Sequence, residues 1–292
     1  MSIMAAYPPD AHDSGVLELA VTLAQARYED LVVVTVVPPR WSTPSMARVD
    51  AEFGEWAAQQ ADAASRAAHE VIDRLAPDLS VMFHRIDGRS AAAALADLAV
   101  EDAASFVVIG SSDGGSEGRI QLGSTGDRLA HSARIPVAVA PRGYRAPAGG
   151  FARLTCAIGG ISDDETLIAQ AYATARSAGV PFRLVTFAVR RETMHPAETG
   201  YDAEDEVALA VREQADAAFV ALRRRGLIGG EVQTLVGMGP GWRASVESLG
   251  WLPDELIVIG SHSHSALARV FLGSSATKIV RHSPVPVALL PA

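Results

Sequence analysis

Short continuous apolar runs alternate with longer segments whose apolar residues recur every three or four positions, from one end of the chain to the other. Ile3 to Tyr7 is the first run, closed by Pro8-Pro9. Gly15 to Tyr28 follows, with Val16, Leu19, Ala20, Leu23 and Ala24 at helical spacing and Asp13 or Ser14 placed to cap it. Leu31 to Val37 is continuously apolar except for Thr35, the mark of a strand covered on both faces in a parallel sheet. After a proline-bearing loop, a long helix over 51–76 would bury Phe53, Trp56, Ala57, Ala64, Ala67, Val71 and Leu75. Leu79 to Phe83 predicts a strand, Asp87-Gly88 a turn, Ser90 to Asp102 a helix, and Phe106 to Ile109 and Pro136 to Ala140 two more strands.

Arg142 to Gly150 has the Gly/Pro content of a linker. The plan then starts again: strand Leu154 to Ile158, helix Asp163 to Ala178, strand Phe182 to Val189, and a variable loop to about Gly200. A long helix over 202–225, with Val207, Val211, Ala215, Ala218 and Leu222 in register, leads to strand Val232 to Val236. Helix Gly241 to Gly250 and strand Leu256 to Ile259 complete the series. The expected fold class is α/β: two tandem doubly wound domains, each a mostly parallel sheet with helices on both faces. We expect domain boundaries at 1–141 and 151–292, with 142–150 between them.

The second round repeats residues as well as plan. Val107 to Pro141, shifted by 150 positions, lies without a gap on Ile257 to Pro291. Identities fall at Gly110/Gly260, Ser111/Ser261, Arg119/Arg269, Leu122/Leu272, Gly123/Gly273, Ser124/Ser274, Pro136/Pro286 and Val137/Val287.

Composition narrows the function classes. A net charge of −9 and no clustered Lys/Arg run argue against nucleic acid or anionic membranes as partners. Cys156 is the single cysteine, which excludes a disulfide framework and a thiolate zinc site, and its apolar setting reads as a buried strand residue. The first residues lack a basic start before a long apolar core, and no apolar run reaches the ~18 residues of a membrane span. A cytoplasmic protein is expected.

In each copy a Gly ends a strand, and Gly-Ser opens a helix thirteen residues later. Carboxyl ends of strands form the ligand crevice of open α/β sheets, and the first turn of a helix offers free N–H groups to an anion. Gly123 and Gly273 permit close backbone approach; Ser124, Thr125, Ser274 and Ser275 supply hydroxyls; Arg119 and Arg269 could close over the anion. The alternative reading of the same residues is a well-capped turn with a solvent-facing arginine.

The doubled strand, Gly-Ser, loop, Leu-Gly-Ser, helix, Pro-Val pattern resembles the universal stress protein family in its tandem form, over essentially the whole chain. The resemblance implies five strands per domain and pairing of the two last strands, giving a pseudo-dimer within one chain. One branch of that family binds ATP through Gly, two residues, Gly, nine residues, then Gly-Ser or Gly-Thr. Gly110 with Gly123-Ser124, and Gly260 with Gly273-Ser274, match the outer positions; the middle glycine falls on Asp113 and Ser263. The branch's aspartate after the first strand falls on Pro8 and Gly159, with Asp10 and Asp163 a little downstream. Its adenine contact falls near Val36 and Phe187, and the glycine after its third strand on Gly88 and Gly237. Asp113 would repel a triphosphate, whereas Ser263 offers a hydroxyl, so the second half is the better candidate.

The expectation is therefore a non-catalytic stress-response protein that binds ATP or another adenine nucleotide, with or without magnesium, or no cofactor at all. Candidate contacts are Gly260, Ser261, Ser263, Arg269, Gly273, Ser274, Ser275, Phe187 and Gly237. Gly110, Ser111, Arg119, Gly123, Ser124, Thr125, Val36 and Gly88 are their first-half counterparts. The alternative is a structural or partner-binding pseudo-dimer without nucleotide, able to assemble further and to meet a regulatory protein. An ATP-using hydrolase ranks last, since no Walker lysine, triad order or carboxylate-pair signature is present. His262 and His264 read as loop histidines rather than metal ligands.

Overall fold

The apolar runs form strands β1 (Ser2–Ala6), β2 (Asp30–Val37), β3 (Val81–Asp87), β4 (Phe106–Gly110) and β5 (Val137–Ala140) in the first half. The second half contributes β6 (Arg153–Ala157), β7 (Phe182–Arg190), β8 (Gln233–Pro240), β9 (Glu255–Ser261) and β10 (Val287–Pro291). Between them lie helices α1 (Gly15–Arg27), α2 (Ala47–Leu75), α3 (Ala91–Glu101) and α4 (Ser124–Ser132), then α5 (Glu165–Ser177), α6 (Tyr201–Arg224), α7 (Gly241–Glu247) and α8 (Ser274–His282). The structure is a computed structural model that describes residues 1–11, 13–39, 47–132, 134–159, 164–190, 201–261 and 273–291.

All ten strands join one sheet in the order β3-β2-β1-β4-β5-β10-β9-β6-β7-β8. Pairing is parallel within each half and antiparallel at its centre, where Val287, Ala288 and Leu289 face Val139, Ala138 and Val137. The expected pairing of the last strands is thus present within one chain. Successive side chains alternate faces, so Ile3 and Ala5 enter one core and Met4 the other. Each core takes residues from both halves: Ala138 and Ala288 on one face, Val137 and Val287 on the other. The middle strands are therefore covered twice, which is why their sequences are continuously apolar.

The buried stripe of each long helix keeps part of the expected one, Ala57 and Ala64 on α2 and Ala215 and Leu222 on α6, and shifts the rest. On α2 it is Ala57, Ala61, Ala64, Ala68 and Ile72, while Trp56 is 52% exposed and Ala67 faces solvent. On α6 it is Ala208, Ala215, Phe219 and Leu222, while Val207 is 64% exposed and Val211 is also exposed. Alanine lets a helix axis approach its neighbours closely, so Ala57 and Ala208 take the inner face from Trp56 and Val207, while Phe219 takes it from Ala218. Among the described residues no helix is long and apolar enough to cross a membrane.

Candidate functional site

Within the first half the strand order reverses between β1 and β4, so their connections leave in opposite directions and a crevice opens beyond their carboxyl ends. A cavity of about 320 Å³ occupies it. Its apolar floor is Ala6, Val16, Val34, Val36, Leu95 and Ile109; its rim carries Gly110, Ser111, Asp113, Gly123, Ser124 and Thr125. Six sequence candidates (Val36, Gly110, Ser111, Gly123, Ser124 and Thr125) are brought together there. Asp10 and Asp13 also line it.

The loop between β4 and α4 is tied into shape by its own backbone. Ser112 N–H donates to the Gln121 carbonyl at 2.8 Å, and Gln121 N–H donates to Ser111 Oγ at 2.9 Å. The Ser111 hydroxyl is thereby spent on the loop. Arg142, just past β5, donates Nη1 to the carbonyls of Asp113 and of Gly115, the latter at 2.8 Å. The opposite wall is held by the same segment: Asp13 accepts Gly15 N–H at 2.9 Å and Gly143 N–H at 2.7 Å. Glu18, buried on α1, accepts Ala146 N–H at 2.9 Å. Residues 142–146 thus brace both walls of the cavity.

Other candidates stand elsewhere. Arg119 does not reach the cavity; its guanidinium lies on the second half, with Nη1 donating to the His282 carbonyl at 3.2 Å and Nη2 to Glu247. Gly88 follows β3 and serves packing, since a Cβ there would meet Ala94 Cβ at 2.9 Å and Val36 Cγ1 at 3.1 Å. Gly237 lies inside β8, paired with Phe187, and a Cβ on it would meet the Ser245 carbonyl oxygen at 2.5 Å.

The second half keeps the frame. Gly260 is in β9, Ser261 ends that strand, and Gly273 precedes α8, whose first residues are Ser274 and Ser275. Ser275 Cβ sits 3.9 Å from where a Cβ on Gly159 would be, so the end of β6 meets the first turn of α8. Asp163, His262, Ser263, His264 and Arg269 lie outside the described residues. Bulk differs between the halves. Phe187 packs on Trp242 of α7 at 5.6 Å between ring centroids, with Lys278 of α8 5.4 Å from the Trp242 ring. In the first half Val36 and Ala91 line the open cavity instead.

Two residues escaped the sequence reading. Thr35 Oγ1 donates to the Tyr7 carbonyl at 2.9 Å, and Thr186 Oγ1 to the Ile158 carbonyl at 3.0 Å. Each fixes the chain as it leaves the first strand of its half. The available signal was a threonine inside an apolar strand in both copies. Cys156 is buried as expected, and burial, with Asp164 nearby, pushes its thiol far up, out of the range of a reactive thiolate. Among the described residues no group of three or more His, Cys, Asp or Glu could hold a metal.

Comparison with known proteins settles the ancestry of this arrangement. The family model described as "Universal stress protein family" matches residues 1–141 and again 150–291. A universal stress protein of Mycobacterium tuberculosis is 39% identical over 291 residues, covering 100% of both chains.

The chain belongs to the universal stress protein family.

A universal stress protein of Mycobacterium bovis matches equally, at 39% identity over 100% of both chains. Among solved structures, a universal stress protein of Archaeoglobus fulgidus superposes with a TM-score of 0.59 at 18% identity, covering 99% of this chain and 98% of its own. A functionally unknown Pseudomonas aeruginosa protein gives 0.61 at 14% identity, covering 99% and 92%. At those identities the structural likeness speaks for the fold alone. It extends over both halves, as expected for the tandem form.

Proposed function

We propose that this universal stress family protein is a non-catalytic ligand sensor that holds the adenosine part of an adenine nucleotide in the first-half cavity. The observation that carries this reading is the convergence of Val36, Gly110 and Gly123 to Thr125 on one cavity at the strand-order reversal. Its volume of about 320 Å³ is at the small end of the ~300–1,000 Å³ usual for ligand pockets. Val34, Val36 and Leu95 offer an apolar slot to a base, and Ser124 and Thr125 offer hydroxyls and N–H groups where α4 begins. Gly260 and Gly273 to Ser275 form the corresponding frame in the second half, a second place for the same ligand. The described lining of the first cavity holds no His, Lys or Cys to act as a base or nucleophile, which favours sensing over turnover.

The test is a melting-temperature titration of the full chain with adenosine, AMP, ADP and ATP, with and without magnesium. A saturable rise in Tm with any of them supports the reading. No shift with any of them at millimolar concentration overturns it and leaves the partner-binding pseudo-dimer. Release of phosphate or pyrophosphate would overturn its non-catalytic part.

A further inference from the structure

The cavity carries an unbalanced set of charges. Asp10 and Asp13 line it from the β1–α1 connection and Asp113 from the loop between β4 and α4, and its described lining contains no Lys, Arg or His. Three arginines stand near the cavity but outside its described lining, and Arg145 lies 3.6 Å from the Asp13 carboxylate. Arg142 is spent on the carbonyls of Asp113 and Gly115, and Arg119 on Glu247 and the His282 carbonyl. The beginning of α4 offers roughly half a positive charge, set against the carboxylates of Asp10 and Asp113, since Asp13 is taken up by Arg145 and by the Gly15 and Gly143 N–H groups. Asp113 stands where the family resemblance places a glycine, on the loop that would have to approach a phosphate chain.

Resting on the adenine reading above, we propose that the first-half cavity selects an uncharged adenine nucleoside and rejects the triphosphate. The floor accepts the base and sugar by apolar contact and by the hydroxyls of Ser124 and Thr125. A polyphosphate extending over Asp113 would bring like charges together with no guanidinium or ammonium from the described lining between them. Asp10 and Asp113 are solvent-exposed, so water and salt moderate the repulsion and the selectivity must weaken as ionic strength rises. The ligand state reported would then be loss of phosphate from the adenine pool, not its energy charge in the form of ATP.

The experiment is calorimetric titration of the full chain with adenosine and, separately, metal-free ATP, at low and high salt, for wild type, D10N and D113N. Both substitutions are nearly isosteric and exposed, so folding is spared. Adenosine should bind at least about tenfold more tightly than ATP at low salt. D113N should narrow that ratio several-fold, D10N less, and high salt should narrow it in wild type. ATP binding as tightly as adenosine, or a ratio unmoved by D113N, overturns the selectivity while the adenine reading stands. If neither ligand binds, both fall together.

Discussion

Arg119, on the loop that frames the first-half cavity, is hydrogen-bonded to Glu247 on α7 of the second half. Glu247 also accepts from Arg243 of its own helix at 3.2 Å, and Arg119 reaches the last carbonyl of α8 as well. The loop that would feel a ligand is therefore fastened to the other half beside the β5–β10 seam. Both side chains are partly exposed, so the contact aligns the halves more than it stabilises them. A double-mutant cycle with R119A and E247A should show a favourable coupling at low salt that fades towards 1 M salt, where the screening length falls to ~3 Å. Strict additivity of the two changes at low salt would refute the contact.

His282 gives this seam a pH dependence. Burial first, then Arg281, Arg119 and Arg243, hold its imidazole below the usual 6.5, with Glu247 opposing them. The folded state therefore prefers the neutral ring. Its contribution to stability is present above about 6.5 and is lost as pH falls from there through the lowered folded value. Unfolding curves should weaken on acidification through that window, and R119A should make the loss shallower by removing one repelling cation. Titration of the His282 ring by NMR reads the same effect directly; an unshifted His282, or one raised above 6.5, contradicts it.

At the amino ends of the second-half strands, Glu255 on β9 accepts from Arg183 at 2.8 Å and from Arg153 at 2.6 Å. Arg183 also donates to Thr155 at 2.9 Å and to the Leu249 carbonyl at 2.7 Å, and lies 4.6 Å from the Trp251 ring. Glu255 is 0% exposed and Arg183 1%. Removing one partner strands a buried charge, so E255A should cost about 3–5 kcal/mol in denaturant unfolding. A loss below about 1 kcal/mol would mean that water reaches the guanidinium.

Glycines at the two kinds of site should separate packing from ligand approach. Gly237→Ala drives a methyl into the Ser245 carbonyl and the Phe187 ring, and should cost about 1–3 kcal/mol. Gly273→Ala meets nothing within 4 Å among the described residues, at a backbone φ of −58°, and should leave stability within about 0.5 kcal/mol. Thermal unfolding of the two variants decides it; equal losses would contradict the geometry.

Most of the fold is legible in the sequence because burial on both faces writes itself into strands such as Leu31 to Val37, and because the pattern is written twice. The site is legible only as a frame. Gly110, Gly123 and Val36 could be placed by repetition and resemblance, but Arg119 could not, since its partner is 128 residues away across the pseudo-dimer. The buried stripes of α2 and α6 were legible in part: Ala57, Ala64, Ala215 and Leu222 are buried as expected, but periodicity also chose Trp56 and Val207, which stand in solvent beside the buried Ala57 and Ala208. Nothing in the sequence joins Arg183 to Glu255; only the sheet order puts β6, β7 and β9 side by side and buries them together.

The central claim is that an adenine ligand sits in the first-half cavity. Amide NMR of the full chain titrated with adenosine tests it most directly. The account predicts saturable shifts clustered at Val36, Gly110, Gly123, Ser124 and Thr125. Shifts confined to Phe187, Gly260 and Gly273 to Ser275, or none anywhere, would contradict it.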